Sequence, residues 1–198
     1  MITLEADRVP AALVSPLVRP VSIGGSQLVR DYLAEVPSAL QFYAGSPHRI
    51  SAYREKLAEV DRVFTHEKRI AAAGALLPTS ASARERLDRF VREGGVAVTT
   101  GQQTGFLTGP LYTIYKAVSA AVLAEHLEKQ LGRVVLPIFW SASEDHDWAE
   151  VDHTFLLDPR GGLCRFRLPA GDPRPLPMSR RQLEEGVREL TDEIRTTL

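Results

Sequence analysis

Cysteine is almost missing from this chain: Cys164 stands alone among 198 residues, so an internal disulfide is excluded and the reducing cytoplasm is the expected compartment. Charge of either sign lacks a surplus, with 24 Lys and Arg against 25 Asp and Glu for a formal net charge of -1. Binding a nucleic-acid backbone relies on a basic excess to displace counterions, so nucleic acid is not an expected partner. No apolar run approaches the roughly 20 residues that a membrane-spanning helix needs, and a membrane is not expected as a partner either. The first stretch, MITLEADRVPAALVSPLVRP, places acids and prolines where a secretory signal would carry a basic cap and an unbroken apolar segment. What is present, 44% hydrophobic and 25% charged residues, is ordinary globular composition that can bury one sizeable core.

Pro10, Pro16 and Pro20 remove amide donors and fix φ, so residues 1–24 are expected to lie extended across another surface. From Ser26 the period becomes helical, with Leu28, Tyr32, Leu33 and Val36 on one side and an interruption at Pro37. A second helix is expected from about Ser46-Pro47 through Ile50, Tyr53, Leu57 and Val60, and a third over 67–77, limited by Gly74 and Pro78. Ser80 or Ser82 is the expected cap of a fourth, with Leu87, Phe90 and Val91 as its buried stripe and Gly94-Gly95 as its stop.

The following segment reads as one β-α-β unit. Val96 to Thr99 is short, β-branched and nearly all apolar, which suits a strand covered on both faces. Pro110 suits the first turn of a helix whose expected inner face is Ile114, Val118, Ala121, Val122 and Leu127, closed by Gly132. Val134 to Trp140 reads as the second strand, although Pro137 would drop a ladder bond in a central position. Residues 151–157 and 163–168, joined through Asp158 to Gly162, read as a β-hairpin. A proline-rich linker is expected over 169–178 and an amphipathic helix from Gln182, its pattern still running at Leu198, as in a truncated portion of a larger chain. The expected division is an N-terminal extended and helical segment (1–92), the β-α-β unit plus hairpin (93–168), and a linker with the start of a helix (169–198).

If the two strands are parallel neighbours, the polar loops at their carboxyl ends share one mouth, the usual ligand site of open α/β sheets. The first loop carries Gly101, Gln102, Gln103, Thr104, Gly105, Thr108 and Gly109, and its glycines let backbone amides approach an anion beside a helix N-terminus. Its spacing matches neither the Walker pattern nor the dinucleotide fingerprint, and a plain strand-to-helix connection is the alternative. Tyr112 and Lys116 lie four apart on one helix face, with Lys116 near enough to meet a bound anion. For Tyr115, packing against the sheet is the favoured reading.

The second loop gathers Glu144, Asp145, His146, Asp147, Glu150, Asp152 and His153. So many ionisable groups after a buried strand perturb one another unless a cation or shared proton compensates them. Four readings stay open: His146 as a general base oriented by a carboxylate, a partial metal site of Asp145, His146, Asp147 and His153, acids that grip a substrate amine, or a solvated loop.

Taken together, TTGQQTGFLTGPLYTIYKA and PIFWSASEDHDWAEVDH closely resemble the bacillithiol-biosynthesis cysteine-adding enzymes, the BshC or cysteine ligase family, in its amino-terminal part. The resemblance implies a Rossmann-like parallel sheet in an α/β fold and a ligase that adds cysteine to glucosaminyl malate. It implies cysteine and glucosaminyl malate as small-molecule partners and a homodimer for the complete protein. Amide formation from a free carboxylate is uphill in water, so ATP or another nucleotide is the expected activator, and no metal is expected. Gly101 to Gly109, Tyr112, Lys116, Glu144 and His153 would then bind substrate, and Asp145, His146 and Asp147 would handle the attacking amine. A metal-dependent hydrolase built on the Asp-His-Asp run, or a binding module without turnover, stands as the alternative.

Overall fold

The computed structural model describes residues 24–169, 174–182 and 186–197. The extended segment expected over 1–24 therefore falls, but for Gly24, outside the described residues, as does 170–173 of the proline-rich stretch.

Short helices lead the chain. α1 (Gln27–Leu33) starts where the Ser26 hydroxyl accepts from the Val29 amide, and Pro37 opens α2 (Pro37–Leu40) at its first turn. α3 (Ile50–Val63) begins later than the expected Ser46-Pro47 start. There the Ser46 hydroxyl donates to Glu35 at 2.7 Å and accepts from the His48 amide at 3.1 Å, which holds a turn instead. Thr65 caps α4 (His66–Gly74) and Ser80 caps α5 (Ala81–Glu93), whose buried side chains are Leu87 and Phe90. Gly94, at φ 76°, closes α5 in the left-handed region that only glycine adopts freely.

The β-α-β unit follows as β1 (Val96–Gln103), α6 (Tyr112–Leu131) and β2 (Val135–Ala142). β1 and β2 are neighbours. The Val96 amide donates to the Val134 carbonyl, and farther along Gly101 lies against the Trp140 backbone, so both strands advance the same way and the pair is parallel. Pro137 is tolerated for a related reason. Since the Val134 carbonyl faces β1, alternation turns the amide positions of Val135 and Pro137 away from it, and the missing donor falls on the side away from β1.

Two expectations about burial are corrected. β1 is not covered on both faces, because Ala97 and Thr99 are exposed. On α6 the buried positions are Ala120, Ala124 and Leu127, whereas Ile114, Val118 and Val122 are 46%, 54% and 54% exposed. Small alanines allow close packing on one face, and the β-branched residues occupy the opposite one.

A one-turn helix that the sequence pattern does not announce, α7 (Trp148–Val151), leads into β3 (His153–Leu157), which pairs antiparallel with β4 (Leu163–Arg167). The register sets His153 opposite Arg167 and Leu157 opposite Leu163. α8 (Gly186–Thr197) completes the described elements.

By its contacts the chain divides into two compact units, Met1–Val96 with Ala124–Leu136, and Ala97–Leu123 with Pro137–Leu198. In the first, Asp61 accepts from Arg133 at 2.9 and 3.0 Å and from Arg69 at 3.1 Å. Arg69 also donates to the Gly95 carbonyl at 2.8 Å, and Arg133 to that of Gly94, so one carboxylate anchors the turn that delivers β1. The Arg133 bonds are the main reason the Asp61 carboxyl lies below the usual carboxylate range. In the second, buried Phe166, Leu168 and Leu190 form a cluster joined by Phe106, Trp148 and Leu156.

Candidate functional site

The first loop is shorter than its sequence suggests, because β1 runs on through Gln103 and carries Gly101 and Gln102 within the strand. Gly101 is required there: a Cβ would stand 2.8 Å from the Trp140 carbonyl oxygen. The loop proper is a tight turn, Phe106–Thr108, in which Leu107 and Thr108 have φ of 47° and 75° and Gly109 has 68°. Two consecutive non-glycine residues with positive φ store strain that their surroundings must hold. Part of that hold is Phe106, which packs against the cluster around Phe166. Another part is contact between Gly105 and Gly109, where a Cβ on Gly105 would meet the Gly109 Cα at 2.7 Å. Within this turn the Thr104 hydroxyl is buried without a hydrogen-bond partner.

Gln103 ties the strand end to the acidic segment. Its side-chain amide donates to Asp145 at 2.8 Å and to Glu150 at 2.5 Å. Asp145 also accepts from the Asp147 amide at 3.0 Å, and that bond, followed by the one from Gln103, lowers its carboxyl below the ordinary range. Glu144, His146 and Asp147 are exposed on the same segment.

A second group of expected residues meets on the other side of the β1 end. The Lys116 ammonium donates to the Gln102 side-chain oxygen at 2.8 Å and to the Gly101 carbonyl at 3.3 Å, and it stands 5.1 Å from the Tyr112 ring centroid. Gln102 donates to the Tyr112 hydroxyl at 3.3 Å. Beside them lies an open hollow of about 370 Å³ between β1 and α6, floored by Val98, Ala120 and Leu123, with Lys116 in its wall. Tyr115 also lines it and is 65% exposed, so the expected packing of Tyr115 against the sheet is not found.

His153 stands apart from the other acidic-loop residues in having a carboxylate on its ring. Its Nδ1 is 2.9 Å from Oδ1 of Asp152, whose Oδ2 accepts from Arg167 at 2.6 Å. Asp152 is 1% exposed, and the Arg167 guanidinium supplies the countercharge that a buried carboxylate needs. His146 has no such partner among the described residues.

The structure therefore draws Gln103 and Asp145 together, gathers Gly101, Gln102, Tyr112 and Lys116 into a second set, and leaves His153 in a set of its own. Glu150, Asp152 and Arg167 complete these sets without having been expected as site residues. The signal for Arg167 is the hairpin register, which sets it opposite His153; Glu150 is carried by α7, a helix that the sequence pattern does not announce, so no signal marked it. Among the described residues no group of three or more His, Cys, Asp or Glu is arranged to hold a metal ion, so the ligand set that the hydrolase alternative requires is not assembled there.

A parallel strand pair bridged by a helix, with polar groups converging at the strand ends, defines a Rossmann-like α/β domain, a class of fold in which ligands commonly bind at that edge. Residues 18–198 match the family model described as Bacillithiol biosynthesis BshC, N-terminal Rossmann-like domain, and the chain belongs to that family. A protein of Solibacter usitatus described as "Putative cysteine ligase BshC" is 36% identical over 179 residues, covering 87% of this chain and 32% of the relative. Proteins of the same description from Heliobacterium modesticaldum and Geobacillus thermodenitrificans are 47% and 48% identical over 92 and 79 residues, or 46% and 40% of this chain and 17% and 15% of theirs. The chain thus spans about a third of the length of the first of these relatives.

Proposed function

We propose that the complete protein is a ligase that adds cysteine to glucosaminyl malate, forming the amide of bacillithiol. The observation that supports this reading is the Gln103 amide joining the β1 end to Asp145 and Glu150; on this reading the turn after β1 accepts an anion and the carboxylates receive an amine. Amide formation from a free carboxylate is uphill in water, so the acyl group must first be activated, as an acyl phosphate or adenylate made from ATP. The turn 104–109 fits an anion: the Thr104 hydroxyl is buried and unpartnered, and Gly105 and Gly109 keep side chains away from the backbone. Lys116 would add positive charge at the rim of the same strand end, stabilising charge that develops on the reacting oxygens. Asp145, His146 and Asp147 would receive or deprotonate the attacking amine. Glu144 and His153 flank them as substrate-binding groups. A homodimeric complete protein in the cytoplasm belongs to the same reading.

The test is product formation by the complete protein from cysteine, glucosaminyl malate and ATP. Replacing Asp145 or His146 by Ala should abolish product, with His146→Ala leaving the melting curve unchanged and Asp145→Ala lowering it only by the loss of its bonds to Gln103 and the Asp147 amide. Unimpaired turnover in both variants would remove the acidic segment from the reaction. Wild-type protein that binds glucosaminyl malate yet forms no amide would make this a binding module.

A further inference from the structure

The hairpin of β3 and β4 has two faces of unlike fate. Leu156, Cys164 and Phe166 alternate onto one of them and pack with Val187, Leu190 and Ile194 of α8. The other carries the register pairs His153–Arg167, Phe155–Arg165 and Leu157–Leu163. An antiparallel sheet with one face in water ordinarily turns polar residues to it. Here Phe155, Leu157 and Leu163 are instead 50%, 64% and 68% exposed. They are contiguous, because the two leucines oppose each other and Phe155 precedes Leu157 on the same side of β3. An apolar patch of this kind, bordered by charge, is the mark of a surface that another surface covers.

The border is positive. The Arg165 guanidinium lies 5.7 Å from the Phe155 ring centroid, Arg160 is exposed in the connecting turn, and the Arg167 side chain is 56% exposed while donating to buried Asp152. The pairs on this face include no carboxylate. Asp158, in the turn, accepts from the Arg160 and Gly162 amides at 2.8 and 2.7 Å. Two copies meeting through this face would therefore set arginine against arginine, and a wholly apolar partner would bury guanidinium groups without countercharge. An apolar stripe bordered by Asp or Glu fits both parts of it.

We propose that in the complete protein this face of the hairpin is the docking surface for an amphipathic, acidic segment of the same polypeptide that these 198 residues do not contain. Its apolar stripe sits on Phe155, Leu157 and Leu163, and its carboxylates meet Arg160 and Arg165. The chain covers 32% of the Solibacter usitatus relative, so most of a protein of that length is available to supply the segment. A segment tethered through the same chain also meets the hairpin at an effective concentration that a separate protein does not reach. The inference is independent of the ligase reading, since it concerns a face that the proposed reaction does not use. It nevertheless bears on the site: Phe106 of the turn packs into the cluster on the hairpin's other face, so a segment docked outside braces the support of that turn.

Photocrosslinking in the purified complete protein tests this, with Leu163→p-benzoylphenylalanine as the probe and mass spectrometry to read the joined peptide. The expected product is a cross-link within one polypeptide, to a segment outside residues 1–198 that carries Asp or Glu beside apolar residues. Arg160→Glu together with Arg165→Glu sets like charge against that segment and should cut the yield roughly fivefold or more, whereas Lys at both positions should preserve it. Should the double reversal not fold, Arg165→Glu alone is read in the same way. A cross-link between two copies, one confined to residues 1–198, or none at all would overturn the proposal. So would a yield indifferent to charge reversal. Sedimentation of the complete protein with phosphatidylserine vesicles, abolished by Arg165→Glu, would assign the face to a lipid surface and overturn it as well.

Discussion

The side-chain nitrogen of Gln103 lies 2.8 Å from a carboxylate oxygen of Asp145, across 42 positions of sequence. That bond connects the end of the first strand to the segment following the second. With Glu150 accepting from the same nitrogen, one neutral amide separates two acids.

Replacing Gln103 by Leu removes the donor and leaves the two carboxylates facing each other. Stability should fall by about 1 kcal/mol, the usual net worth of such a bond, as read by chemical denaturation. Product formation by the complete protein should fall far more than that figure implies, because the segment carrying Asp145 is no longer tied to the strand end. A variant with lowered stability and full activity would separate the bond from the reaction.

Asp61 should make the chain acid-sensitive. Its folded-state carboxyl is lowered, chiefly by Arg133, so its contribution to stability is present above the unfolded-state value and is lost as pH falls through the folded-state one. The loss should set in below about pH 4, the ordinary Asp range. D61N should be less stable than wild type at neutral pH, and the difference should shrink as the solution is acidified. Parallel stability curves for the two proteins through that interval would exclude the coupling.

Gly105 carries a steric requirement rather than a conformational one. Its backbone is extended, at φ -118°, but an added Cβ would stand 2.7 Å from the Gly109 Cα. Gly105→Ala should therefore cost about 1–3 kcal/mol as overpacking and should loosen the turn beside Thr104. Differential scanning calorimetry measures the first effect and inorganic phosphate or ATP titration the second. A melting temperature and affinity equal to wild type would show that the turn opens freely.

Much of this architecture was legible where a local rule decides it. Ser80 before an amphipathic run and Gly94 after it mark a helix whatever surrounds them, and Asp158 to Gly162 between alternating segments marks a hairpin. The buried face of α6 was not legible, because hydrophobic size favours Ile114, Val118 and Val122 while close packing selects Ala120 and Ala124. In the site, Gln103 and Asp145 were both visible as candidates, but their bond depends on parallel pairing and cannot be read from either loop alone. Asp152 was visible only as one acid among many. Its distinction comes from Arg167, which the antiparallel register brings to it.

Among the described residues, the far side of β2 meets a side chain and no strand. The Val135 amide there is taken by the Glu128 carboxylate at 3.4 Å, and Pro137 offers no proton. A stray polypeptide seeking to extend the ladder would find one donor already engaged and the next one absent. Glu128 and Pro137 thereby discourage fibrillar stacking along that margin.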